Sequence, residues 1–119
     1  MTSEVFIASG ARTPIGSFMG NLSSFSAPEL AAAAIQKTLD GSSIEADQID
    51  EVLIGNVVSA GLKQAPARQA MRLAGIPDQC GATTINKVCG SGMKATMLAF
   101  DLIRSGSADT VISGGMESM

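Results

Sequence analysis

Four short apolar segments alternate with three helical stretches along this chain, and that alternation restricts the fold more than any other feature. The segments are residues 5–8, 51–59, 81–88 and 110–113. Residues 51–59 carry Val52, Leu53, Ile54, Val57 and Val58 as a nearly continuous apolar run. That is the pattern of a strand covered on both faces rather than on one. Residues 81–88 are rich in threonine and β-branched side chains, which suit a strand. Strands in this order with helices between them imply right-handed crossovers. The predicted fold class is α/β, ordered βαβαβαβ, with a largely parallel sheet and helices on both faces.

The helices announce their ends. Ser26-Ala27-Pro28-Glu29 is a capping box with proline in the first turn. The helix it opens holds Leu30, Ala31 to Ala34, Ile35 and Leu39, and Asp40-Gly41 closes it. Residues 43–50 offer one more helical turn. Pro66 opens a second helix that runs through Met71 and Leu73 to Gly75, with Pro77 just beyond. A third helix follows Cys89 and runs to about Ser105, with Gly106 as its cap. Met93, Ala95, Met97, Leu98, Ala99, Phe100, Leu102 and Ile103 leave it only a narrow polar stripe of Lys94, Asp101 and Arg104. Such a helix is expected to be buried between layers.

Composition removes several classes of function. The chain has 119 residues, enough for one small domain. With no Trp or Tyr and four Phe, its core must be built from small side chains that allow close packing. A net charge of −3 without basic runs argues against a nucleic-acid partner. The longest apolar runs are far short of a membrane span, and no basic region precedes an apolar stretch at the N-terminus, as a signal peptide requires. Two cysteines, Cys80 and Cys89, are too few for a disulfide framework and lack metal-site spacing. They suggest a reducing compartment, and the cytoplasm is the expected location. No metal site is expected.

One segment carries chemistry. Asn86-Lys87-Val88-Cys89-Gly90-Ser91-Gly92-Met93-Lys94-Ala95 sets a thiol on a tight turn between a β-branched strand and an apolar helix. A sulfur at that place lies near helix amides and the positive end of the helix dipole, both of which favour thiolate. Gly90 and Gly92 shape the turn and let a substrate approach the backbone. The placement parallels the nucleophile elbow of hydrolases, with backbone N–H groups as an oxyanion hole. The residues alone leave two readings of Cys89 open, a nucleophile or a small packed apolar side chain. Cys80 has no such setting and reads as packing. Arg12 reads as a surface or loop-packing residue, with orientation of a neighbouring loop as the alternative. The chain has no histidine, so the usual base for a cysteine nucleophile is not among its residues.

Residues 85–95 resemble the acyl-enzyme signature of the thiolase family. Ala11-Arg12-Thr13-Pro14-Ile15-Gly16 is similar to that family's N-terminal loop. Gly55-Asn56-Val57-Val58, Pro66-Ala67-Arg68-Gln69-Ala70 and Gly114-Gly115-Met116-Glu117-Ser118-Met119 also resemble thiolase segments, in the right order. The wording around Cys89 most resembles the acetyl-CoA acetyltransferase branch. Thr96 stands where an aliphatic residue is usual, but it is small and β-branched. The Gly-Ser-Gly after Cys89 and the Gly-Gly-Met-Glu block favour thiolases over ketoacyl synthases and hydroxymethylglutaryl-CoA synthases.

The resemblance implies the following. The fold is the first part of the N-terminal half of a layered αβαβα architecture, so residues 1–119 are expected to form an incomplete thiolase N-terminal domain, stopping before an insertion that supplies most of the CoA site. Cys89 matches the nucleophile that takes up acetyl as a thioester, and its amide N–H matches an oxyanion donor; Gly90 and Gly92 shape its turn. CoA thioesters, acetyl-CoA and acetoacetyl-CoA, are substrates, and no separate cofactor or cofactor-binding residue is implied within this chain. The family's catalytic histidine and second cysteine have no match here, so the isolated chain is expected to show no turnover. The implied partners are further copies, as a dimer or tetramer, or a second chain carrying the C-terminal half. Two other readings stay in view: a longer-chain 3-ketoacyl-CoA thiolase, and a non-catalytic assembly module.

Overall fold

The computed structural model describes residues 4–119. Its elements are helix α1 (Ala27–Asp40), a 3-10 turn (Ala46–Gln48), strand β1 (Glu51–Gly55), helix α2 (Pro66–Leu73), strand β2 (Gly81–Ile85), helix α3 (Ser91–Arg104) and strand β3 (Val111–Gly115). The three strands form a parallel sheet in the order β2-β1-β3. Glu51 stands beside both Gly81 and Val111, and Gly55 beside both Ile85 and Gly115. All three strands therefore end level, at one edge of the molecule.

The helix ends follow from local chemistry. Ser26 Oγ accepts a hydrogen bond from the Glu29 amide at 3.3 Å and donates to the Glu29 carboxylate at 3.1 Å. At the far end of α2, Gly75 takes φ +85°. Its amide donates to Arg72 O and that of Ile76 to Met71 O, which is a Schellman closure. Gly106, φ +81°, closes α3 the same way, with Gly106 N–H on Ile103 O and Ser107 N–H on Leu102 O.

β1 is the central strand, and residues 52–55 are all buried. Val52 and Ile54 face α1 and α2, in a core with Ala27, Ala31, Ile35, Ala67, Ala70 and Met71. Leu53 points the other way, onto Ala95 and Ala99 of α3. The continuous apolar run is thus two cores interleaved on one strand.

Several expectations are corrected. Residues 5–8 carry no sheet pairing, and Phe6 and Ile7 are 78% and 91% exposed. They line a cleft of about 620 Å³ together with β3, and neither ladder of the sheet includes them. Strand β1 ends at Gly55 instead of 59, because the Val57 and Val58 amides turn to the Glu117 carboxylate. Strand β2 ends at Ile85 instead of 88, because Ser91 Oγ takes the Lys87 amide and Asn86 Oδ1 takes the Val88 amide. Helix α3 is buried along one line only, Ser91, Ala95 and Ala99, while Met93 is 74% exposed and Met97 and Phe100 lie open. One sheet covers α3, and among the described residues nothing packs on its other side. The fourth apolar segment, expected over residues 110–113, forms β3 over Val111–Gly115, so Gly114 and Gly115 also belong to the strand.

Candidate active site

The site is built where the three strands end. Beyond Ile85, Asn86 Oδ1 accepts the Val88 N–H at 3.0 Å, an Asx-type turn. Val88 is left-handed, with φ 46°. A β-branched side chain in that region is a genuine outlier, costing on the order of 1–3 kcal/mol. Ser91, 5% exposed, fastens the turn: its Oγ accepts the Lys87 N–H at 2.8 Å and donates to Val88 O at 2.6 Å. The Gly90 amide donates to Lys87 O and the Ser91 amide to Val88 O.

Cys89 sits between these anchors as an exposed free thiol, one residue before the N-cap of α3. Among the described residues its own amide meets no hydrogen-bond acceptor. A donor beside an exposed sulfur, at the start of a 14-residue helix, is available to a third party. Gly90 is the N-cap with φ −93°, and a Cβ there would lie 3.5 Å from Lys87 O, an ordinary contact. The left-handed residue of the turn is therefore Val88, not a glycine.

Glycines act here by allowing backbones to touch. A Cβ on Gly55 would stand 2.5 Å from the carbonyl carbon of Ser91 and 2.7 Å from Gly92 N. A Cβ on Gly92 would stand 3.4 Å from Gly115 N, and one on Gly115 3.3 Å from Gly92 Cα. The first turn of α3 thus rests on the ends of β1 and β3 without intervening side chains. Thr96 adds a side-chain tie, with its Oγ1 3.0 Å from Ser113 Oγ on β3.

A second polar group holds the same edge. Glu117, just past β3, accepts hydrogen bonds from Asn56 Nδ2 at 2.9 Å and from the Val57 and Val58 amides at 3.0 Å each. Asn56 is 2% exposed, and its Nδ2 also donates to Met116 O at 3.2 Å.

The other thiol differs in every respect. Cys80 is buried at the foot of the sheet and donates to Gly81 O. Burial pushes its thiol up, and the Glu51 and Asp50 carboxylates add to the effect. Arg12 is exposed, and among the described residues its guanidinium donates only to its neighbour's carbonyl, Thr13 O. Its loop lines a separate cavity of about 420 Å³ with α1 and residues 115–119.

Sequence reasoning reached Cys89, Gly90 and Gly92 but not Gly55, Asn56, Val88, Ser91 or Glu117 as site builders. Glu117 had a signal, being an acidic side chain directly after an apolar strand and two glycines.

Residues 5–119 match the thiolase N-terminal domain family. The chain is 50% identical over 117 residues to the mitochondrial acetyl-CoA acetyltransferase of Danio rerio, covering 98% of this chain and 28% of that protein. It is 48% identical over 117 residues to an acetyl-CoA acetyltransferase of Cupriavidus necator, covering 98% of this chain and 30% of that protein. To an acetyl-CoA acetyltransferase of Schizosaccharomyces pombe it is 49% identical over its full length, which is 30% of that protein. The chain thus spans less than a third of the length of these relatives.

Proposed function

We propose, for a chain that belongs to the thiolase family, that it forms the acyl-accepting part of an acetyl-CoA C-acetyltransferase. The Cys89 sulfur adds to the thioester carbonyl of acetyl-CoA, the free Cys89 amide donates to the oxyanion, and CoA leaves as its thiol. The acetyl group is then a thioester on Cys89. The α-carbon of a second acetyl-CoA, having lost a proton, attacks that carbonyl, so that acetoacetyl-CoA departs and the Cys89 thiolate returns. Thiolysis is the same sequence reversed. The base for the α-proton and the partner that activates the sulfur are supplied by groups outside these 119 residues, which contain no histidine.

The observation that carries this reading is the exposed thiol beside an unengaged amide on a strained turn at a helix start. The acetyl-CoA acetyltransferases named above support acetyl over longer acyl groups. Incubating the chain with acetyl-CoA and mapping adducts by mass spectrometry tests it. An acetyl group is expected on Cys89, absent in Cys89→Ser, with no multiple turnover. Acetylation that ignores position 89 refutes the assignment.

The open side of α3, with Met93, Met97 and Phe100 exposed, together with a β2 edge that has no strand partner among the described residues, supports a homo-oligomer as the working form. Sedimentation analysis that finds only monomer at high concentration speaks against it. Two free thiols support a reducing compartment, for which we take the cytoplasm; cell fractionation decides it.

A further inference from the structure

We propose that Glu117 is a positioning residue for the chemistry at Cys89. It acts by locking the chain leaving β1 to the chain leaving β3, so that the first turn of α3 is seated between them.

Each link is a short contact. One carboxylate accepts three N–H donors from residues 56–58, and hydrogen bonds to a charged acceptor are the strong ones. The Met116 amide, immediately before it, donates to Gly55 O at 2.9 Å. Strand ends β1 and β3 are thereby cross-tied one residue beyond the sheet. The α3 first turn lies directly on that junction, with Ser91 on Gly55 and Gly92 on Gly115. Ser91 in turn fixes Lys87 and Val88, the two residues before the sulfur. The path from Glu117 to Cys89 thus runs from its carboxylate through direct backbone contacts to the Ser91 hydroxyl, with a hydrogen bond or a contact at every link.

Asn56 supplies an independent sign. Its Nδ2 is aimed at Met116 O and Glu117 Oε1, which leaves its buried Oδ1 without a donor among the described residues. Turning the amide over would set Oδ1 against two oxygens, so Glu117 dictates the orientation. Buried polar atoms are almost always paired, and one that is not calls for an explanation. Here the explanation is that holding this corner takes precedence over satisfying the amide.

The connection to acyl transfer rests on the functional reading above, while the mechanical coupling does not, and two measurements separate them. Hydrogen exchange is compared in the wild-type chain and Glu117→Gln. Gln keeps the size but sets a donor against one of the three N–H groups. The expected result is at least tenfold faster exchange at the Val57 and Val58 amides and also at the Ser91 and Lys94 amides, with Leu53 and Ala70 still protected. Change confined to residues 57 and 58 overturns the coupling.

The second measurement takes acetylation by acetyl-CoA and alkylation by iodoacetamide at Cys89. Alkylation needs only an accessible thiol; acetyl transfer also needs the amide in place. Acetylation is expected to fall about tenfold while alkylation stays within about twofold and Cys80 stays unreactive. Unchanged acetylation, or a loss that only tracks labelling of Cys80, overturns the positioning role. If Glu117→Gln fails to fold, Asn56→Ala replaces it, since it removes one of the three donors and keeps the carboxylate. The same pattern is expected there, at smaller amplitude, and no change in exchange at Ser91 is fatal. If even the wild-type chain takes no acetyl group, the functional reading fails and the exchange result alone decides whether Glu117 sets the turn.

Discussion

Replacing Gly55 by alanine isolates the backbone contact on which the site depends. The strand conformation there suits alanine, so the cost comes from space alone. The new Cβ would lie 2.5–2.7 Å from Ser91 and Gly92 atoms, where carbon contacts settle near 3.5–4.0 Å, at about the van der Waals optimum. Something must move by about 1 Å, and neither wall is a flexible side-chain tip. Overpacking of this kind costs about 1–3 kcal/mol. Restricting the unfolded chain returns about 0.4–1 kcal/mol, so the net destabilisation should be about 1–2 kcal/mol. With a urea m-value of about 1–3 kcal/mol/M, the unfolding midpoint should drop by about 1 M. The displacement falls on the turn that carries Cys89, and for the proposed acyl transfer a 1 Å misplacement can cost about 100-fold in rate. Acetylation of Cys89 by acetyl-CoA should therefore fall by about that factor, while iodoacetamide labelling changes little. Gly90→Ala is the control. Its Cβ makes only an ordinary contact, so its stability should stay within about 0.5 kcal/mol of wild type, a surface-substitution effect. Equal midpoints and equal acetylation rates for Gly55→Ala and wild type would refute the argument that α3 is seated on β1 by direct backbone contact.

Other outcomes follow from the same geometry. Val88→Asn should raise stability by about 1 kcal/mol, because asparagine tolerates the left-handed region that valine resists; a lower unfolding midpoint counts against strain at Val88. At neutral pH, Cys89 should react with iodoacetamide at least tenfold faster than Cys80, which is buried and has its thiol pushed up; equal rates in the native chain contradict that. Asp50 is held below the usual carboxylate range by the amides of Asp109 and Thr110, with burial opposing them weakly. A lowered folded value contributes stability above the unfolded value of about 4 and loses it as pH falls further. Asp50→Asn should therefore lower the midpoint at pH 7 and flatten its decline below about pH 4, and an acid profile identical to wild type would show the contribution to be nil.

What could be read from the sequence was what is decided locally. Ser26, Gly75 and Gly106 mark helix ends because caps involve residues a few positions apart. The parallel α/β class was legible for a similar reason, since Val52, Leu53 and Ile54 can all be buried only if both faces of the strand are covered. Most of the misreadings turn on partners that periodicity does not report, whether a distant residue or a side chain that takes a backbone amide. Residues 5–8 are apolar enough for a strand, but a strand needs a neighbour, and among the described residues none pairs with them. Val57, Val58 and Val88 read as strand continuations, yet their amides are taken by Glu117 and Asn86. Sixty residues separate Val57 from Glu117, and no periodicity reports a contact of that span. The glycines beside Cys89 drew attention as turn formers, whereas the left-handed conformation falls on Val88. The glycine that the turn most needs, Gly55, lies in another element.

These details point to a site made of main chain. The sheet's other face rests on α2 through Ala67, Ala70 and Met71, and α1 packs on α2 in turn. On the α3 face, Gly55, Gly92 and Gly115 bring three backbones together. Such a junction has little freedom to repack, because backbone atoms cannot change rotamer. That rigidity lets the fold keep two unfavourable features at one corner, the left-handed valine and the unpaired Asn56 oxygen, each of which would relax if its surroundings yielded. It also fixes where the Cys89 sulfur stands while leaving it exposed, the combination that the proposed attack on a thioester needs. Enlarging any of the three glycines should therefore disturb reactivity at Cys89 more than substitutions of comparable size on the alanine side of the sheet. The order of effect should follow the spacing, Gly55 well ahead of Gly92 and Gly115.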